Sequence, residues 1–311
     1  MKSNKAGKAR KARQIAQDIL RECLRTPHNR IVSCGILVGF FYLPSRLLDL
    51  ITATLRGTPS ILMTAAIGLG LHMLWQKRHQ LAKLQVSEAD RLLGHLLIIG
   101  GIILAPAAFW VEWSQRLDWA VILIGIACSC WGMEFFRLYP LPTFLIGMGL
   151  FPQPFQVAKE IWQAFLPPQI LERFMAWAGN LGLLAIGQPS VLQSTAISLP
   201  GGTVDVQWGC NGFDMMLTMA AASLVLGLFL QQSALKITGM IVVGMVLALL
   251  FNIPRIMLMA MAEAYWGKAA FEFWHGAWGG QIFSTLLFTI YYYVVMALVK
   301  RSSIKSTVHS R

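Results

Sequence analysis

The chain has 311 residues, of which 56% are hydrophobic and 13% charged, with 26 Lys+Arg against 14 Asp+Glu and a formal net charge of +12. Soluble domains carry roughly 25% charged residues, so this composition excludes an ordinary water-soluble enzyme; the apolar content also excludes a disordered chain. The positive charge stands in short blocks between long apolar runs, the layout of an integral membrane protein rather than of a nucleic-acid binder.

A helix crossing a bilayer needs about 20 mostly apolar residues, with about 17 as a practical minimum. The chain offers eight candidates: Ile31–Thr52, Pro59–Trp75, Leu92–Trp110, Trp119–Phe136, Leu138–Phe151, Phe213–Leu230, Ile237–Ile256 and Trp278–Val299. Pro44, Arg46 and Asp49 interrupt the first. The fifth is short and carries Pro140 and Pro142, which suits a tilted or partly re-entrant segment. The opening MKSNKAGKARKARQ is a long basic stretch with no small-residue cleavage site after a short apolar core, and reads as a solvated cytoplasmic tail rather than a signal peptide.

Cations orient the spans. Residues 1–30 hold nine Lys/Arg, the stretch 76–91 holds Lys77, Arg78, Lys83 and Arg91, and the C-terminal tail holds Lys300, Arg301, Lys305 and Arg311. With these inside, and Arg137 and Lys236 in the other inner loops, 19 of the 26 cations face the cytoplasm. The expected fold is an all-α integral protein of the plasma membrane, with about eight transmembrane helices and both termini cytoplasmic. Its expected parts are a basic tail (1–30), a transmembrane hairpin with a basic loop (31–90), a transmembrane domain (91–300) and a second basic tail (301–311). The tails bind anionic lipid headgroups.

On this topology residues 152–209 form one large outer loop. Its first part reads as amphipathic helices. Its second part alternates apolar and polar residues on both sides of Pro200-Gly201-Gly202, the signal of a small extracytoplasmic β-hairpin just before the sixth span. No internal repeat is present.

Polar groups near or inside a bilayer are functional-site hypotheses by default. Cys210 is the only one of the five cysteines expected at the outer face. It stands at the hairpin exit in WGCNGFD, where Asn211 or Asp214 can help cap the following helix and the helix dipole favours a thiolate. The bland alternative is a small buried hydrophobe. Arg255, in LLFNIPRIMLM, is costly in an apolar stretch unless paired or facing water; Asn252 precedes it by three residues on the same helix face. The alternative there is a snorkelling interfacial arginine. His275, in FEFWHGAWGGQ, is the only one of six histidines expected outside, between Trp274 and Trp278. Cysteine with histidine is the minimum for thiol nucleophilic catalysis: the imidazole takes the thiol proton and later protonates the leaving amine. The arginine holds the developing oxyanion or a substrate carboxylate. Spacing alone does not show that the three groups meet.

The segments PLPTFLIGMGLFPQPFQVAKEIWQAF, AISLPGGTVDVQWGCNGFD, NIPRIMLM and FWHGAWGGQIF, in this order and on matching helices, resemble the exosortase/archaeosortase family, and GCNGF resembles its cyanoexosortase branch. The resemblance covers residues 90–300 and is strongest from Tyr139 to Phe283. It implies a multi-pass cysteine transpeptidase, sortase-like in chemistry but not in fold. The implied substrates are exported proteins with a three-part C-terminal signal: a short motif such as PEP, a transmembrane helix and a basic cluster. It carries the nucleophile onto Cys210, the arginine onto Arg255, the histidine onto His275 and the preceding asparagine onto Asn252. Many members have Ser or Ala where this chain has Asn211, and a basic or amide residue where it has Asp214. A carboxylate at Asp214 raises the thiol pKa or orients His275, so the substrate motif does not carry over simply.

The competing reading is a non-enzymatic transporter or assembly factor for exopolysaccharide or surface export. Such proteins place ionisable groups at the bilayer midplane between broken helices, whereas these polar groups gather at one surface. No HExxH, GxSxG or phosphate-binding loop occurs, and the proposed chemistry implies no cofactor and no metal.

Overall fold

The computed structural model describes residues 21–55, 60–108, 110, 112–151 and 154–309. The basic tail expected over residues 1–30 lies outside the described residues as far as residue 20, as does Arg311 at the other end. The chain divides into two compact units: residues 1–52 with 63–153, and residues 53–62 with 154–311.

The first unit is helical. Its elements are α1 (Pro27–Leu55), α2 (Ser60–Gln76), α3 (Glu88–Ala108), α4 (Glu112–Trp131) and α5 (Pro140–Leu150), the first two running on into the second unit at one end. Helices α3 and α4 pack closely through glycines: a Cβ on Gly94 would lie within 2.6 Å of backbone atoms of Gly125 and Ser129. Small residues let helix backbones approach where lipid offers no hydrophobic drive. Two polar pairs join α1 to its neighbours. His28 Nδ1 and His95 Nε2 stand 2.9 Å apart, and the Tyr42 hydroxyl donates to Asp118 Oδ2 at 2.9 Å. Asp118 is buried, and Tyr42 lies midway along α1. Asp118 falls one residue before the apolar run expected as the fourth span, so the sequence gives no sign of its burial.

The second unit contains α6 (Pro154–Phe165), α7 (Ile170–Ala185), β1 (Val191–Gln193), β2 (Ala196–Leu199), β3 (Gly202–Asp205), α8 (Phe213–Phe229), α9 (Ala234–Met261), α10 (Lys268–His275) and α11 (Ala277–His309). The strands expected around Pro200-Gly201-Gly202 are β2 and β3, paired Leu199 to Gly202 across a two-residue turn. A third strand, β1, joins them in the order β1-β2-β3. It escapes a sequence reading because three residues are too few to reveal alternation. Ile197, Leu199, Val204 and Val206 turn inward and join a core with Met175, Leu183, Ile256 and Met259. Gly201 lies against the backbone of Ala264, in the single π turn (Ala262–Trp266) that extends α9, so no side chain fits at that corner.

Among the described residues, three helical stretches have the length and composition to cross a membrane: Glu88–Ala108, Ala234–Trp266 and Ala277–Ala297. Shorter apolar helices occupy Leu62–Gln76, Pro140–Leu150 and Phe213–Phe229. At 1.5 Å per residue, the 11 residues of α5 reach about 16 Å, well short of a hydrocarbon core of about 30 Å. Bulky apolar side chains such as Leu37, Phe40, Ile103, Leu104, Val242 and Tyr293 point outward. So much exposed apolar surface is stable against lipid and unstable in water.

Candidate functional site

The three-residue turn Trp208–Cys210 delivers the chain to the head of α8. Cys210 is 5% exposed and packs into the core of the second unit. Local bonds fix its backbone. The Cys210 N–H donates to the Gln207 carbonyl at 2.9 Å. Asn211 Oδ1 accepts the Phe213 N–H at 2.9 Å, supplying one of the acceptors that the first turn of α8 lacks. Gly212 between them has φ +83, and a Cβ there would come within 2.9 Å of Asn252 Nδ2. Glycine is thus demanded both by the left-handed backbone and by space.

Asn252 reaches this turn from α9 and is fully buried. Its Nδ2 donates to the Cys210 carbonyl at 2.8 Å, tying the nucleophile candidate to the helix that carries Arg255. Pro254 lies between the two in sequence and lacks an N–H, which leaves one helical bond unmade beside the site.

Arg255 is half-buried. Its Nη2 donates to the His275 carbonyl at 3.2 Å. That carbonyl ends α10, where unpaired C=O groups and the negative end of the helix dipole attract a cation. The Arg255 Nε is buried without a partner, as are Asn211 Nδ2 and Asn252 Oδ1. Burial pushes the Cys210 thiol above its ordinary pKa, and the Arg255 guanidinium opposes that rise. Desolvation therefore outweighs the guanidinium at this thiol.

His275 is attached to the site through its backbone rather than its ring. The imidazole is exposed and stacks on Phe271, with ring centroids 5.4 Å apart and planes 11° from parallel. Among the described residues no hydrogen bond joins it to the Cys210 thiol. Asp214 also stands apart: its side chain is exposed, and the cation acting on it is Lys159 from α6. The structure thus gathers Cys210, Asn211, Asn252 and Arg255, keeps His275 one bond away, and leaves the Asp214 side chain exposed.

An aromatic wall went unnoticed in the sequence. Trp208 and Phe213 flank the cysteine with ring centroids 4.8 Å apart, and Trp162 meets Phe213 at 5.4 Å. Lys159 Nζ lies 4.8 Å from the Trp208 ring centroid. The signal was present in WGCNGF, where aromatics bracket the Cys-Asn-Gly turn. Among the described residues no group of three or more His, Cys, Asp or Glu side chains is placed to hold a metal ion.

No curated protein and no solved structure matches the chain. The family model described as transmembrane exosortase matches residues 33–292, a longer stretch than the motifs themselves span, and the chain therefore belongs to the transmembrane exosortase family.

Proposed function

We propose that this exosortase-family protein is a cysteine peptidase and transpeptidase of the plasma membrane. It cuts the C-terminal sorting signal of exported proteins at the extracytoplasmic face and passes the new end to a surface acceptor. The observation that carries the reading is the Cys210 turn itself: a thiol held by Asn252 through its own carbonyl, with the Arg255 guanidinium acting on it.

In this reading the Cys210 thiolate attacks the scissile carbonyl, and Arg255 stabilises the charge that develops on its oxygen. His275 takes the thiol proton and gives it to the leaving amine. Its ring leaves Phe271 to do so; catalytic hydrogen bonds commonly tighten only when substrate is bound. The acyl thioester then yields to an acceptor nucleophile. Asn252 positions the nucleophile, and Asn211 and Asp214 lie where substrate binds.

The topology we propose has eight crossings, with both termini and Lys236 inside; the short α5 makes the fifth across a locally thinned bilayer. Arg255 is about 32 Å along α9 from Ala234, and the hydrocarbon core is about 30 Å thick. A helix that starts at the inner face thus brings Arg255 to the outer one, level with a motif held just outside the membrane by a substrate's own helix and basic cluster.

The test is the size of a co-expressed secreted protein with a three-part tail. Wild type removes the tail and Cys210→Ser leaves it intact. Tail removal by Cys210→Ser would show that this cysteine is not the nucleophile.

A further inference from the structure

We infer that the Asn211 side-chain amide is a catalytic hydrogen-bond donor to the oxyanion, acting beside Arg255 in acyl transfer. The inference rests on the cysteine-peptidase reading and adds to it a second oxyanion donor.

Hydrogen-bond donors near the Cys210 turn divide into committed and free. An oxyanion formed by attack of Cys210 needs preorganised N–H groups close to that sulfur. The nearest in sequence, the Cys210 N–H, is taken by the Gln207 carbonyl at 2.9 Å. The Asn252 Nδ2 is taken by the Cys210 carbonyl at 2.8 Å. Two buried side-chain donors remain without partners, Arg255 Nε and Asn211 Nδ2.

Asn211 is 0% exposed, so a donor left unpaired there carries a desolvation cost that a bound acceptor would relieve. Its orientation is set. The Oδ1 is engaged by the Phe213 N–H at 2.9 Å, which fixes the amide plane and leaves the Nδ2 as the free end. The Asn252 side chain closes over the adjacent Gly212, where even a Cβ would crowd it. A helix cap and a hydrogen-bond donor are thus combined in one side chain next to the nucleophile.

The step balances without any further reactant. The thiolate sulfur forms a bond to the scissile carbonyl carbon. The carbonyl π pair moves to oxygen, and the oxyanion accepts hydrogen bonds from Asn211 Nδ2 and Arg255. Collapse of the intermediate expels the amine, which takes the proton held by His275 and leaves an acyl thioester on Cys210.

The experiment uses the full chain in lipid vesicles, with a tail-bearing fusion that the wild type processes. Asn211→Ala removes donor and cap together. Asn211→Ser keeps a capping hydroxyl but places no amide at the oxyanion. Both variants should lower kcat by about 10²–10³-fold while KM stays within about twofold, as expected for a lost oxyanion donor. Iodoacetamide alkylation of Cys210 reads the resting thiol and should proceed at the wild-type rate in Asn211→Ser. Wild-type kcat in Asn211→Ser, or a fall in alkylation that matches the fall in kcat, would overturn the donor role and leave only a cap. Processing by Cys210→Ser would overturn the underlying reading as well, so the two failures are distinguishable.

Discussion

The two units treat their buried polar groups differently. In the first unit they have partners: Asp118 accepts from the Tyr42 hydroxyl and Ser129 donates to the Ile126 carbonyl, while the half-buried His28 and His95 face one another. Around Cys210 in the second unit, Asn211 Nδ2, Asn252 Oδ1 and Arg255 Nε are all buried and unpaired. An unpaired polar atom in low dielectric is costly. Paired groups tie a helix bundle together, whereas in the proposed function a substrate's peptide groups complete the unpaired set beside the thiol. The first unit has its own unpaired atom, Trp119 Nε1, but it stands alone and beside no nucleophile.

The largest effect that sharpens this contrast is at Arg255. Arg255→Met should lower turnover by about 10²–10³-fold, by loss of charge stabilisation at the oxyanion, measured as initial rate of tail removal. It should also move the pH dependence of Cys210 alkylation. Only the thiolate reacts. Burial already raises the thiol's pKa and Arg255 opposes the rise. The wild-type midpoint should therefore lie above the ordinary thiol value, and removing the cation should move it further up. A downward move would show that the guanidinium does not act on the sulfur.

Next come paired substitutions, one in each unit. Asn252→Leu strands the Cys210 carbonyl and Tyr42→Phe strands the Asp118 carboxyl, each costing about 1–3 kcal/mol of stability, read by thermal unfolding in detergent. Their activities should diverge: turnover per folded molecule falls with Asn252→Leu and holds with Tyr42→Phe. Equal loss of turnover would break the comparison between a structural and a functional unit.

Gly212→Ala should cost about 1–2 kcal/mol for its left-handed backbone and also push Asn252 off the Cys210 carbonyl, so Cys210 alkylation should change along with stability. The smallest effect is expected of Lys159→Met. It removes a cation from the face of Trp208, worth about 0.5–1 kcal/mol, and should leave turnover within about twofold of wild type if Asp214 has no part in orienting His275.

Much of this site was legible because membrane sequences make polar residues conspicuous. Cys210, Asn252 and Arg255 each interrupt apolar surroundings, and a three-residue step on a helix puts Asn252 and Arg255 on one face. The helices were legible from apolar runs, and the β2–β3 turn from Pro-Gly-Gly. What was not legible depends on tertiary placement. His275 is an exception: its ring stacks on Phe271, four residues earlier on the same helix face, at the corner that ends α10. At that corner Gly279 lies against the Trp274 backbone. Asp214 follows Cys210 by one turn and shares its local sequence, yet its charge partner comes from α6, far away in the chain. The Asn211 amide could be read as a cap, but its free donor emerges only once its own Oδ1, the Cys210 N–H and the Asn252 Nδ2 are assigned partners. Asp118 escaped because its buried partner, Tyr42, is 76 residues away.

The most direct test of the central claim is to trap the covalent intermediate. Wild-type protein turning over a tail-bearing substrate is quenched in acid, digested and examined by mass spectrometry. The account predicts a thioester between Cys210 and the new carboxyl end of the cleaved substrate, lost on treatment with hydroxylamine and absent from Cys210→Ser. Active protein that accumulates cleaved product with the acyl group on another residue, or with no acyl-enzyme under conditions where the acceptor step is blocked, would contradict it.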